Sequence, residues 1–172
     1  MTTEPQASKW VKPSWQQTKR FLAVVVAILV CDIITKQVML ALIFSPPRVI
    51  EVLPILNWAP VWNKGISFGL FSDYPQLVRY GISALALFVV FWLYVQLAAL
   101  TKGQQIAAAL ISGGAIGNVI DRIIYGKVID FVDFHLGSWH YPAFNVADSA
   151  IFLGVLLWII TVLRHSFSHA SD

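Results

Sequence analysis

Charge is what this chain has least of. Asp, Glu, Lys and Arg make up 12 % of its 172 residues, against about 25 % in an ordinary soluble domain. With 58 % hydrophobic residues and a mean hydropathy of +0.70, that scarcity excludes a soluble globular domain and indicates a membrane protein. Cysteine is nearly absent. Cys31 stands alone, so an intrachain disulfide and a cysteine-held zinc site are both excluded. It lies inside a hydrophobic run, and Val30 before it is too large for an acylation signal, so Cys31 reads as a packed helix residue. There is no H-E-x-x-H motif, and His135, His140, His165 and His169 are poorly placed for a zinc site. No metal and no cofactor are expected. A net charge of +3 would suggest nucleic acid in a soluble chain. Here the basic residues flank hydrophobic runs, as topology signals do, and no nucleic-acid partner is expected.

What is present is a set of long apolar runs. Phe21 to Ile43 follows Lys19-Arg20 and is broken by Ser45-Pro46-Pro47. Leu77 to Leu100 carries a single charge, Arg79. Gln104 to Ile120 is rich in Ala, Ser and Gly, which suits close helix packing in lipid. Ser149 to Leu163 ends at Arg164 and His165. Each is close to the roughly 20 residues needed to cross a bilayer. The expected fold is an all-α polytopic membrane protein of one domain, with four spans near 21–43, 77–100, 104–120 and 149–163. The segment 45–76 mixes Pro, Asn and Gly with β-prone stretches such as Val49 to Leu53, and reads as a small β-rich cradle outside the membrane. Residues 121–147 read as a second outer loop. The positive-inside rule puts Lys9, Lys12, Lys19 and Arg20 in the cytoplasm, with both termini, Lys102 and Arg164 on that side and the cradle and loop in the periplasm.

Of only nine acidic residues, Asp121, Asp130, Asp133 and Asp148 fall in one stretch. An unpaired carboxylate is costly in a bilayer, so intramembrane acids suggest a functional site. Helical rise of about 1.5 Å per residue puts Asp32, Asp121 and Asp148 roughly 17, 25 and 22 Å from the cytoplasmic ends of three spans, in the outer half of a core about 30 Å thick. Gly126 permits a turn, after which Val128-Ile129-Asp130-Phe131 can return as an extended segment to the same level. Asp133 lies an odd number of residues further on, so it faces away from Asp130 and is expected to be solvated. Two carboxylates held together at such a depth share a proton, because both cannot comfortably ionise. The charged member can then activate a water while the protonated one donates to a carbonyl oxygen, which is aspartic-protease chemistry without a metal.

Three blocks then stand out: Gly113-Gly114-Ala115-Ile116-Gly117-Asn118-Val119-Ile120-Asp121-Arg122, Gly126-Lys127-Val128-Ile129-Asp130-Phe131, and Phe144-Asn145-Val146-Ala147-Asp148-Ser149-Ala150-Ile151. With Asp32 and Lys36 in the first span and Asn63-Lys64-Gly65-Ile66-Ser67-Phe68 after it, the chain resembles the lipoprotein signal peptidases, the signal peptidase II family of bacterial intramembrane aspartic proteases. The resemblance implies that Asp130 and Asp148 are the catalytic pair. It implies that Asn118, Asp121, Arg122 and Asn145 surround the pair and hold substrate backbone, and that Asn63 and Gly65 belong to the outer cradle. It further implies a diacylglyceryl-modified prolipoprotein as substrate, cut just before the modified cysteine, and a place in the bacterial inner membrane among its lipids. A monomer is expected. Cys31-Asp32-Ile33 stands where Leu-Asp-Gln is common in the family, and Gly65-Ile66-Ser67-Phe68 where Gly-Ala-Ala-Phe is common.

Plainer readings accompany these. Asp32 and Lys36, four apart on one helix, can neutralise each other. Asp121 can pair with adjacent Arg122 at a helix end. Asn118 and Asn145 can satisfy backbone where spans end, and Asp148 can be a helix-start capping acid. His135, Trp139, His140 and Tyr141 read as an interfacial aromatic belt. Two rival functions use the same features: a small proton-coupled transporter whose carboxylates relay protons, and an assembly factor that binds partner helices through its glycine-rich third span. The transporter reading lacks an inverted repeat and a midplane site.

Overall fold

The computed structural model describes residues 11–64 and 76–169. Helix α1, Trp15–Ile43, starts six residues before the expected span because Ser14 and Gln17 form a reciprocal cap: the Gln17 amide donates to Ser14 Oγ (3.2 Å) and the Ser14 amide to Gln17 Oε1 (2.8 Å). A π-helical segment, Leu77–Ile82, runs into α2, Ser83–Gln96. Thr101 and Gln104 repeat the reciprocal cap at the start of α3, Lys102–Tyr125, and α4 spans Val146–His169. Four helices are thus long and apolar enough to cross a membrane.

Helix α3 is the centre of the bundle. In its spanning window 61 % of residues are buried, against 11–22 % in the other three helices, whose apolar outer faces are left exposed. The small residues of α3 make this possible. A Cβ at Gly117 would stand 2.6 Å from the Asp32 carboxylate on α1, and one at Gly114 would collide with the Ala147 carbonyl of α4. The obstacle at Gly114 is backbone, so it cannot rotate away. Gly114→Ala is expected to cost about 1–3 kcal/mol by pushing α4 outward, read as a lowered thermal midpoint in detergent. An unchanged midpoint would show that α4 is not held at this contact.

The sheet corrects the all-α expectation. Its order is β1-β2-β3-β4, antiparallel throughout, and it draws on both outer connections. β1 (Ile50–Leu53) and β2 (Leu56–Asn63) lie in the expected cradle, whereas β3 (Val128–Leu136) and β4 (Trp139–His140) come from the stretch expected to be a loop. The reason is local. Helix α3 continues five residues past Ile120 and stops at Gly126, whose φ of 72° is open to glycine and whose amide closes the helix onto the Arg122 carbonyl at 3.0 Å. The β-branched and aromatic run that follows then pairs with β2. Gly137, at φ 61°, turns β3 into β4 through two residues.

One irregularity in β2 matters for the site. Trp58 pairs with Val132 and Val61 with Asp130, so β2 spends three residues where β3 spends two. Asn57 and Asn63, six apart, would otherwise share a face. The bulge puts them on opposite faces, Asn57 beside Asp133 and Asn63 diagonal to Asp130. Met39 and Ile43 of α1 pack with Ile129 and Phe131, tying the sheet to that end of the bundle.

Candidate active site

Asp130 is delivered by β3 and Asp148 by the first turn of α4. The junction residue Asn145 links them. Its side-chain oxygen accepts the Asp148 amide at 2.9 Å while Asp148 Oδ2 accepts the Asn145 amide at 3.3 Å, a reciprocal helix cap. The same side chain donates to Asp130 Oδ1 at 2.8 Å and to the Ile129 carbonyl at 3.2 Å. The capping reading of Asp148 is therefore correct and compatible with a place in the site. Every carboxylate oxygen of the two acids has a fixed donor. Asp130 Oδ2 takes Asn63 Nδ2 at 2.9 Å, and Asp148 Oδ1 takes Asn118 Nδ2 at 2.7 Å. Asp130 is 1 % exposed. Burial, with the charge of Asp148 adding to it, pushes its pKa up to about 7, against the pull of the Asn63 and Asn145 amides toward the charged form.

Behind this pair lies a second set. Lys36 Nζ stands 2.7 Å from Asp32 Oδ2, 2.8 Å from Asp121 Oδ2 and 3.4 Å from Asn118 Oδ1. Asp32 Oδ1 accepts the Ala147 amide at 2.9 Å, and Asp121 Oδ2 accepts the Ile129 amide at 3.1 Å. So Asp32 braces α4 beside Asp148, and Asp121 braces β3 beside Asp130. Asn118 joins the two sets, because its oxygen also accepts Asn145 Nδ2 at 3.2 Å. The neutralising pair Asp32–Lys36 is present, but the expected pairing of Asp121 with Arg122 is replaced by Asp121 with Lys36. Adjacent helix residues diverge by about 100°, which turns Arg122 away from the Asp121 direction and onto the cavity side, one turn below Asn118. There its guanidinium donates to the Asn118 carbonyl at 3.3 Å and forms part of a cavity wall. Gly65 lies outside the described residues.

The cavity holds about 980 Å³. Asn63, Asn118, Arg122 and Asp148 supply its polar end. From there it runs along α4 past Ile151, Phe152 and Val155, and under the sheet tip at Phe134, Trp139 and Tyr141. Reading from sequence missed this wall. The signal was the spacing 148, 151, 152, 155, one helix face, together with the aromatic residues read as an interfacial belt.

Asp133 needs a correction. It is set apart from Asp130 as its parity requires, but it is 8 % exposed, not solvated. Asn57 Nδ2 donates to it at 3.2 Å and His140 Nδ1 lies 2.8 Å away, so His140 has a hydrogen-bonding partner. A further correction concerns the serine nucleophile elbow, expected to be absent: Gly65-Ile66-Ser67-Phe68-Gly69 has its G-x-S-x-G spacing. These residues lie outside the described ones. The motif requires the strand-to-helix turn of an α/β-hydrolase sheet, and every strand pairing among the described residues is antiparallel, in a helical membrane fold.

Comparison with known proteins bears on this arrangement. Residues 24–164 match the family model described as Signal peptidase (SPase) II. The chain is 38 % identical to the lipoprotein signal peptidase of Polynucleobacter necessarius subsp. necessarius, over 89 % of this chain and 94 % of that protein. It is 41 % identical to that of Janthinobacterium sp., over 84 % and 88 %. Among solved structures it is similar to a bacterial membrane enzyme determined by the in meso method at 2.3 Å, with a TM-score of 0.73 and 29 % identity, covering 90 % of this chain and 93 % of that one.

Proposed function

The chain belongs to the signal peptidase II family and is a protease of lipoprotein processing; from that premise we propose that Asp130 and Asp148 are its catalytic pair. The observation that carries the assignment is the single residue Asn145, which holds both carboxylates at once, Asp130 through its side-chain amide and Asp148 through its backbone amide. Around neutral pH the pair keeps one proton, since burial lifts Asp130 to about 7. The charged partner takes a proton from a water whose oxygen attacks the scissile carbonyl carbon, and the protonated partner donates to the carbonyl oxygen. Collapse of the tetrahedral intermediate breaks the C–N bond, and the leaving amine, that of the lipid-modified cysteine, takes up a proton.

The four apolar helices and the family accord with a multi-pass inner-membrane protein. We assign both termini to the cytoplasm and the sheet and site to the periplasmic side, on the basic residues preceding and opening α1. The signal helix of the substrate would lie along the cavity wall of α4, with its scissile bond level with Asp148. Asp32, Lys36 and Asp121 act as positioning residues. Arg122, Asn118 and Asn63 line the cavity and are placed to meet substrate backbone. The protein acts as a monomer in this reading, because one chain supplies the whole site. The transporter and assembly-factor readings are set aside.

The test is cleavage of a purified diacylglyceryl prolipoprotein in detergent or bilayers across pH. Activity should fall on an alkaline limb near pH 7, as the shared proton is lost. Asn63 favours the ionised form of Asp130, so Asn63→Ala should move that limb to higher pH, by about half a unit. A limb that stays in place or moves down would contradict the assignment.

A further inference from the structure

At the end of the bundle opposite the sheet, α1 and α3 part to leave a crevice of about 260 Å³. Arg20 on α1 and Lys102 on α3 stand at its mouth, and Phe21, Val24, Ile106 and Ala109 line it further in. Both cations are exposed, and neither makes an ion pair among the described residues. Among the described residues no carboxylate lies near them. Every described carboxylate (Asp32, Glu51, Asp121, Asp130, Asp133 and Asp148) sits on the sheet or in the sheet-side half of its helix. This end therefore carries Lys12, Lys19, Arg20, Lys102 and Arg164 without a described acid.

We propose that this crevice binds an anionic phospholipid, its phosphate held between Arg20 and Lys102 and one acyl chain laid along Val24, Ile106 and Ala109. The shape selects an amphiphile. The mouth is cationic and lies at the helix ends, while the walls become apolar toward the bilayer centre, and basic pockets between spanning helices are suited to anionic headgroups. A free phosphate would leave the apolar part unfilled. The basic leading segment of a signal peptide would be repelled by the same two cations. The site is separate from the aspartate pair and stands whichever way the chain faces.

The full-length protein in a non-ionic detergent, titrated with phosphatidylglycerol and followed by native mass spectrometry, tests this. Phosphatidylglycerol should be retained about tenfold more tightly than phosphatidylethanolamine. The double variant Arg20→Gln/Lys102→Gln should lose that preference, whereas Lys12→Gln/Arg164→Gln, with the same change in net charge, should keep it within about twofold. The charge-preserving Arg20→Lys/Lys102→Arg should also keep it, which separates loss of the site from loss of the fold. Equal losses in the two Gln doubles would reduce the effect to general surface charge. Displacement of the lipid by millimolar inorganic phosphate would make the site one for free phosphate. Either result, or equal retention of the two lipids, overturns the proposal.

Discussion

Asp130→Asn and Asp148→Asn should each abolish cleavage of a diacylglyceryl prolipoprotein, by on the order of 10⁴-fold or more in kcat, while leaving a folded protein. Asparagine keeps the shape and can still accept one hydrogen bond. It cannot take a proton from water, and it cannot share one with the other acid. The two variants should be about equally inactive, and the double variant little worse than either, because two groups that act as one unit do not contribute additively. Asp121→Asn provides the contrast. Its carboxylate is committed to Lys36 and the Ile129 amide, so its loss should lower stability more than chemistry. Substantial cleavage by either Asp130→Asn or Asp148→Asn, in a sample whose thermal midpoint matches the parent, would remove that residue from the pair. Retained activity in Asp130→Asn together with loss in Asp121→Asn and Asp148→Asn would move the pair to Asp121 and Asp148.

Lys36→Met should have the largest effect on stability. The side chains of Lys36, Asp32 and Asp121 are 2 %, 1 % and 6 % exposed. Removing the cation leaves two buried carboxylates facing each other without a counter-charge, at a cost of about 3–5 kcal/mol. Asp32 and Asp121 hold the Ala147 and Ile129 amides, which adjoin Asp148 and Asp130, so activity should fall as well. The check is heat unfolding in detergent. Adding Asp121→Asn to Lys36→Met should restore part of the loss, because one of the two stranded charges is removed. If the single variant melts with the parent, or the second substitution makes it worse, the electrostatic account of this cluster is wrong.

The four spans were legible because an apolar run of spanning length needs no partner to be recognised. Their ends were less so. The reciprocal caps at Ser14 and Thr101 lie in polar stretches outside the apolar runs, so α1 begins six residues before its hydrophobic run does. Helical rise brought Asp32, Asp121 and Asp148 to one level, and their shared network of Lys36, Asn118 and Asn145 has that geometry. Depth alone does not say which amide meets which oxygen. The assignment of Asp121 to Arg122 failed because sequence neighbours on a helix point apart, whereas Lys36 reaches Asp121 from another helix. The sheet was half seen. Val128 to Phe131 reads as extended from its own residues, but its pairing does not, because β2 lies 65 residues upstream of the segment where it pairs. The burial of Asp133 was missed for the same reason, since Asn57 and His140 arrive by strand pairing.

The bulge between Trp58 and Val61 gives β2 an arithmetic that bears on how this protein can change over generations. Replacing a side chain there leaves the count intact, so each asparagine still meets its own aspartate. Losing or gaining one residue is a different kind of event. With the bulge kept, it would return Asn57 and Asn63 to the same phase, and one of the two aspartates would be left without its amide; only loss of the extra bulge residue itself, which leaves them five apart in regular alternation, keeps both contacts. Variation in this strand is therefore open to changes of residue type and, outside the bulge, closed to changes of length, even at positions that touch neither substrate nor acid.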